Sequence, residues 1–127
     1  MTSLRCFGTP LPGDLGLRRI ANRAGLSVDL LPNGSLFAIG HDHGRGSTLI
    51  SQIEGAALEG GIGRLVLRRR APDPATAEMV GPAARVAIAA GPDSFVWEGV
   101  SLGIGHRVTL WLHPDRPVWL WRVELTN

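Results

Sequence analysis

Residues 30–69 constrain the fold most, because apolar runs alternate there with turn-forming residues at short intervals. The first two runs flank Asn33-Gly34, and an Asn-Gly pair tolerates the positive φ angles that a two-residue hairpin turn demands. We therefore predict a β-hairpin whose return strand contains residues 36–39. Asn33 also begins a glycosylation sequon, but we favour the hairpin interpretation because no secretory signal precedes it.

The same alternation continues to the end of the chain and predicts about eight short strands, with turn signals every 8–12 residues. This pattern is typical of an all-β fold, an antiparallel β-sandwich. Before it, residues 1–25 are expected to form an irregular arm, in which residues 14–24 form one short helix with an apolar edge. The sandwich domain is then expected to span residues 26–127. Residues 71–82 are predicted to be a loop rich in Pro and Ala.

Composition narrows the class of protein further. The 127 residues suffice for one domain with an ordinary core, and 17 Gly and 9 Pro suit many short strands joined by turns. The single cysteine, Cys6, excludes an internal disulfide. The net charge is only +2, and the one dense basic run, Arg68-Arg69-Arg70, is interpreted as a solvated strand end. We expect no nucleic-acid partner.

No apolar run is long enough for a signal peptide or a membrane span. We therefore expect a cytoplasmic location and no membrane contact by this segment.

The last predicted strand, residues 118–125, is apolar on both faces. Trp119, Trp121, Val123 and Leu125 share one face, and Val118 and Leu120 lie on the other. A sandwich of this size normally leaves one face of such a strand in water. We therefore expect a partner domain or subunit to cover the second face.

A short polar run, His41-Asp42-His43, is the main candidate for ligand binding. Imidazole and carboxylate groups ligate zinc or copper, but the remaining histidines, His106 and His113, are distant in sequence. The alternative is an exposed loop between glycines, and we predict no metal. Glu59 lies in a glycine-rich corner where backbone can approach a ligand, although a structural carboxylate is an alternative interpretation.

The chain contains four tryptophans and no tyrosine. Exposed indole rings form platforms for sugars, whereas buried ones pack cores and interfaces. We assign Trp97, with Glu59 and the run His41-Asp42-His43, to substrate binding. A domain or subunit interface is assigned to the remaining three: Trp111, Trp119 and Trp121.

Three parts of the chain carry a resemblance to a known family. They are LLPNGSLFAI, LISQ followed by LEGGIGRLVLRR, and WEGVSLGIGHRVTLWLHPDRPVWLWRVELTN. In order and spacing, residues 28–127 resemble the N-terminal domain of glycoside hydrolase family 94, which includes cellobiose phosphorylases and cyclic β-1,2-glucan synthases. The resemblance implies a supersandwich similar to galactose mutarotase. It also implies a separate (α/α)6 barrel that holds the catalytic residues.

The resemblance implies a non-catalytic, carbohydrate-associated domain that supports this barrel. Its expected partners are the barrel, a second copy in a homodimer, and carbohydrate. The parent protein would be an inverting phosphorylase, or a glucan synthase anchored in the inner membrane. We expect no catalytic residue and no cofactor in this chain. Two alternatives are a free-standing mutarotase or epimerase, which pairs His106 or His113 with Glu98 or Glu124, and a lectin-like module.

Overall fold

The computed structural model describes residues 16–52 and 61–127, and these residues form ten β-strands. The strands are β1 (Arg18–Ala21), β2 (Leu26–Leu30), β3 (Leu36–Asp42), β4 (Ser47–Gln52), β5 (Leu65–Arg69), β6 (Ala75–Val80), β7 (Ala87–Ala90), β8 (Ser94–Ser101), β9 (Ile104–Leu112) and β10 (Trp119–Thr126). Every strand pair is antiparallel, and no helix occurs in the described ranges. The predicted all-β, sandwich-like fold is confirmed.

The strands form two four-stranded sheets, in the orders β1-β2-β3-β4 and β10-β9-β8-β7, and a two-stranded sheet β5-β6. Alternate residues of β2 and of β9 join one buried core cluster, because side chains at every second position of a strand share a face. The core-facing residues of these two strands are Leu26, Val28 and Leu30 in β2, and Val108, Leu110 and Leu112 in β9. The core therefore lies between the two larger sheets.

The hairpin between β2 and β3 forms as predicted, but its turn differs. Gly34 N donates to the Leu31 carbonyl (2.9 Å) and Leu31 N donates to the Ser35 carbonyl (2.8 Å), which closes a three-residue loop. Pro32 holds the φ angle of about −65° that suits the first central position of a type I turn. Gly34, at φ 86°, then takes the left-handed position that follows this turn.

The predicted helix at residues 14–24 is wrong where the structure describes it, because β1 occupies Arg18–Ala21 and pairs with β2. Ile20 enters the core, while Arg19 donates from Nε and Nη2 to the buried Asp29 carboxylate (2.6 and 2.8 Å). The hydrogen bonds to Asp29 raise the pKa of the Arg19 guanidinium. The first sheet thus begins inside the segment that we expected to be an irregular arm.

The predicted loop at residues 71–82 also needs correction, because β6 occupies Ala75–Val80 and pairs with β5. β6 packs against β8 and β9, and Met79 and Val80 are buried in the core cluster. β5 ends at Arg69, so the Arg-rich run lies at a strand end.

Asn22 ties the two large sheets together at one end of the sandwich. Its Nδ2 donates to the carbonyls of His113 (2.6 Å) and Arg116 (2.7 Å), in the connection between β9 and β10. Its Oδ1 accepts from Leu26 N (2.9 Å), at the start of β2. One amide side chain therefore fixes the β1–β2 turn to the connection that leads into β10.

Candidate functional site

The strand β10 forms one edge of its sheet and carries the largest group of exposed apolar side chains in the described part of the chain. Its register with β9 places Trp121 opposite Leu110, Val123 opposite Val108, and Leu125 opposite His106. Residues directly opposite each other in an antiparallel pair share a face. The three β10 side chains therefore point toward the core side of the sheet.

The core ends before it reaches these side chains. Trp119 packs against the core cluster, but Trp121 is 37% exposed, Val123 44% and Leu125 55%. The three form a row along the edge strand, which we call the β10 apolar strip. Within the described ranges, these side chains form an exposed apolar patch, and patches of this kind often mark interaction sites.

The backbone of β10 is also open along its outer edge. His113 N donates to the Val118 carbonyl (2.9 Å), and this pair continues the β9–β10 register. In an antiparallel strand, the N–H and C=O groups of successive residues point alternately toward and away from the paired strand. The even-numbered residues of β10 therefore bond to β9. The N–H and C=O groups of the odd-numbered residues point to the free edge. Within the described ranges, no strand pairs with that edge.

The opposite face of β10 is mixed, because the exposed Leu120 lies there beside the charged Arg122 and Glu124. Glu124 lies opposite Arg107 of β9, which lies opposite Glu98 of β8, so charges alternate across three strands. Arg122 Nη2 lies 3.1 Å from Glu124 Oε1, and Arg107 Nε lies 4.0 Å from Glu98 Oε2. These side chains are exposed, so the pairs contribute little to stability. The charged residues of this face are suited to water, whereas the apolar strip contains no charged residue.

Trp97 packs against Trp121 of the β10 apolar strip. It is fully buried, donates from Nε1 to the Gly34 carbonyl (3.0 Å), and packs near Phe95. Its ring centroid lies 5.8 Å from that of Trp121, at an interplanar angle of 31°. Trp97 was assigned to substrate binding, but its buried ring offers no face to a ligand. It fixes the position of Trp121.

The other candidate ligand residues lie elsewhere. His41 and Asp42 end β3 and His43 follows, and β3 belongs to the other large sheet. His41 Nε2 bonds to the Ala24 carbonyl (2.9 Å), and Asp42 accepts from Gly44 N (3.0 Å), as in a turn. The described residues contain no group of three His, Cys, Asp or Glu side chains that could hold a metal. Glu59 lies outside the described residues.

The residues of the mutarotase alternative do not converge on one cleft. His106 is buried on the core side of β9 and bonds through Nε2 to Ser101 Oγ (2.9 Å). Glu98 and Glu124 lie on the charged outer face of the same sheet. His113 accepts from Asp115 N (3.0 Å) through Nδ1, in the connection after β9.

The three tryptophans assigned to an interface take different positions. Trp121 belongs to the apolar strip, Trp119 packs against the core, and Trp111 lies on the outer face near the His113 ring. Val123 and Leu125 were not among the predicted interface residues, although the apolar faces of residues 118–125 signalled them. Their exposure depends on tertiary packing, which a local sequence pattern does not specify.

Comparison with known proteins identifies one family. The family model described as SOGP N-terminal domain matches residues 29–127. None of the curated proteins compared matches the chain. No helix within the described ranges is long and apolar enough to cross a membrane.

The family match corrects the expected identity. The matching model is that of the SOGP N-terminal domain, and it differs from the N-terminal domain of glycoside hydrolase family 94. The assignment to that glycoside hydrolase family is therefore wrong. The family match also contradicts the predicted role as a carbohydrate-associated phosphorylase or glucan synthase domain. The mutarotase and lectin-like alternatives are wrong as well. The described residues provide no evidence of carbohydrate binding.

Proposed function

The chain belongs to the SOGP N-terminal domain family, and on that premise we propose that it is a protein-docking domain that binds a partner along β10. The observation that carries the proposal is that the apolar strip and the open backbone edge lie on one strand. A partner strand placed there satisfies the unpaired N–H and C=O groups of β10. Its side chains would also cover Trp121, Val123 and Leu125.

The two contributions reinforce each other. Main-chain hydrogen bonds to an added strand supply affinity, and the side chains at alternate positions supply specificity. Removing a Val or Leu side chain from water contributes about 1.5–3 kcal/mol when burial is complete. The strip therefore offers a partner favourable apolar contact in addition to backbone pairing.

The sheet edges also favour β10 over its competitors. Proteins protect exposed edges with short strands, charged side chains or bulges. β7 has four residues, and β1 has four with Arg18 and Arg19 among them. β10 has eight residues, and its core-facing side carries no charge. The edge strand β4 has six residues, so β10 is the longest edge strand in the described ranges. A long edge with an uncharged core-facing side is open to pairing, which supports a role in binding a partner strand.

Site-directed photo-crosslinking tests this function without assuming which partner binds. We expect p-benzoyl-L-phenylalanine in place of Val123 to give a discrete adduct when the protein is irradiated in the cells that express it. The same residue in place of Val100, which is 72% exposed on the outer face of β8, is the matched control. Adducts of equal yield at both positions, or none at Val123, would refute the docking function.

A further inference from the structure

We infer that the partner of β10 is β10 of a second copy, paired antiparallel about a two-fold axis at Val123. This inference rests on the proposed docking function and adds the partner and its register. The dimer joins the β10-β9-β8-β7 sheets of two copies into one continuous sheet. A two-fold axis brings the same edge of both copies together, so the edge must be complementary to itself.

The backbone limits the registers that are available. Only the odd-numbered residues of β10 direct N–H and C=O groups to the free edge, so odd-numbered residues must oppose odd-numbered ones. This condition keeps the two apolar strips on the same face of the joined sheet. A slip by one residue would set apolar side chains against charged ones and break the hydrogen bonds.

The charges then favour one register. With the axis at Trp121, Arg122 lies opposite Leu120, and with the axis at Leu125, Glu124 lies opposite Thr126, so neither register forms an opposite-charge pair. With the axis at Val123, Arg122 of each copy lies opposite Glu124 of the other, so two opposite-charge pairs form on the outer face. With the axis at Arg122, two arginines oppose each other. With the axis at Glu124, two glutamates do so. Directly opposed like charges destabilise a strand pair, whereas opposite charges stabilise it.

The same register suits the apolar face. Val123 lies opposite Val123 of the second copy, and Trp121 lies opposite Leu125 in both halves of the interface. Pairs of aromatic and aliphatic side chains are favourable across antiparallel strands. The exposed edge of the Trp121 ring, which rests on Trp97, is thus covered by an aliphatic neighbour. The side chains on both faces of β10 therefore favour the register with the axis at Val123.

Charge reversal tests the pairing in solution. We expect the wild-type chain to sediment as a dimer, and Arg122→Glu and Glu124→Arg each to weaken dimerisation about tenfold or more, because each variant opposes two like charges. An equimolar mixture of the two variants should restore a dimer, because every opposed pair then combines Glu with Arg. Thermal melts followed by circular dichroism establish that both variants are folded. A mixture that stays monomeric would overturn the inference.

Disulfide trapping tests the register independently of the charge variants. In a Cys6→Ser background, Val123→Cys should form a disulfide-linked dimer on mild oxidation, since opposed residues in a hydrogen-bonded pair lie about 5.5 Å apart. Leu125→Cys is the control, because its two copies lie four residues apart along the strand, roughly 13 Å, and should not be linked. Equal linkage of both variants, or of neither, would overturn the register. A photo-adduct at Val123 with a different polypeptide would overturn the inference that the partner is a second copy. The proposed docking function would still stand.

Discussion

Trp97→Ala should lower the free energy of unfolding by about 3–5 kcal/mol, among the largest losses that one side chain can cause here. The indole is fully buried between the sheets, and its Nε1 donates to the Gly34 carbonyl. The truncation leaves a cavity next to Phe95 and removes the hydrogen-bond partner of that carbonyl. Urea unfolding followed by circular dichroism measures the loss.

Trp111→Ala is the matched control for this prediction. It removes the same atoms from a half-buried position on the outer face of β9, so we expect a loss of only about 1–2 kcal/mol. Trp97→Ala should also alter Trp121 fluorescence, since the two rings lie together. If the two variants lost equal stability, Trp97 would not be the centre of the core.

Gly25→Ala should cost about 2–5 kcal/mol, because the position combines backbone strain with a direct clash. Gly25 has φ 81°, and a β-carbon there would lie 2.0 Å from the Asp42 carbonyl oxygen. That oxygen belongs to the backbone, which is held close by the bond from Asp42 N to the Gly25 carbonyl (2.8 Å). The end of β3 would have to move away.

Gly44→Ala separates the effect of backbone strain from the effect of the clash. Gly44 has the same φ of 81°, but a β-carbon there would meet nothing within 4 Å. We expect this variant to lose about 1–2 kcal/mol, which is the strain alone. Denaturant midpoints of the two variants provide the comparison. Equal losses would show that the Asp42 carbonyl yields freely and that the close approach is unimportant.

Strands that alternate clearly were predictable from the sequence. Val108, Leu110 and Leu112 were expected on one face of their strand, and all three are fully buried. Trp121 and Val123 were expected to share a face, and the β9–β10 register confirms it. Here the local pattern and the tertiary structure agree, because a buried face imposes the period-2 pattern on the residues themselves.

Elements specified by distant partners were not predictable in this way. β1 is a strand because Arg19 pairs with Asp29 and Ile20 enters the core, and both interactions lie outside the local sequence. The same holds for turn geometry. Leu102 and Gly103 have φ angles of 54° and 78°, which suit a type I′ turn, although Leu is disfavoured there. The pairing of β8 with β9 imposes that turn.

The candidate site was predictable only in outline. The apolar faces of residues 118–125 indicated a strand that a partner covers, and this part of the interpretation stays a prediction. Which side chains remain exposed depends on tertiary packing, and Val123 and Leu125 are not part of the buried core cluster. The free backbone edge likewise depends on strand order. Neither the exposure of these side chains nor the free edge can be predicted from the local sequence.

Amide hydrogen exchange along β10, measured by NMR over a dilution series, tests the docking edge most directly. In dilute protein we expect the odd-numbered amides of β10 to exchange fast and the even-numbered ones, which bond to β9, to exchange slowly. At high concentration the odd-numbered amides should become as protected as their neighbours. Fast exchange of the odd-numbered amides at every concentration and in the photo-crosslinked complex, or their protection in the dilute monomer, would contradict the account.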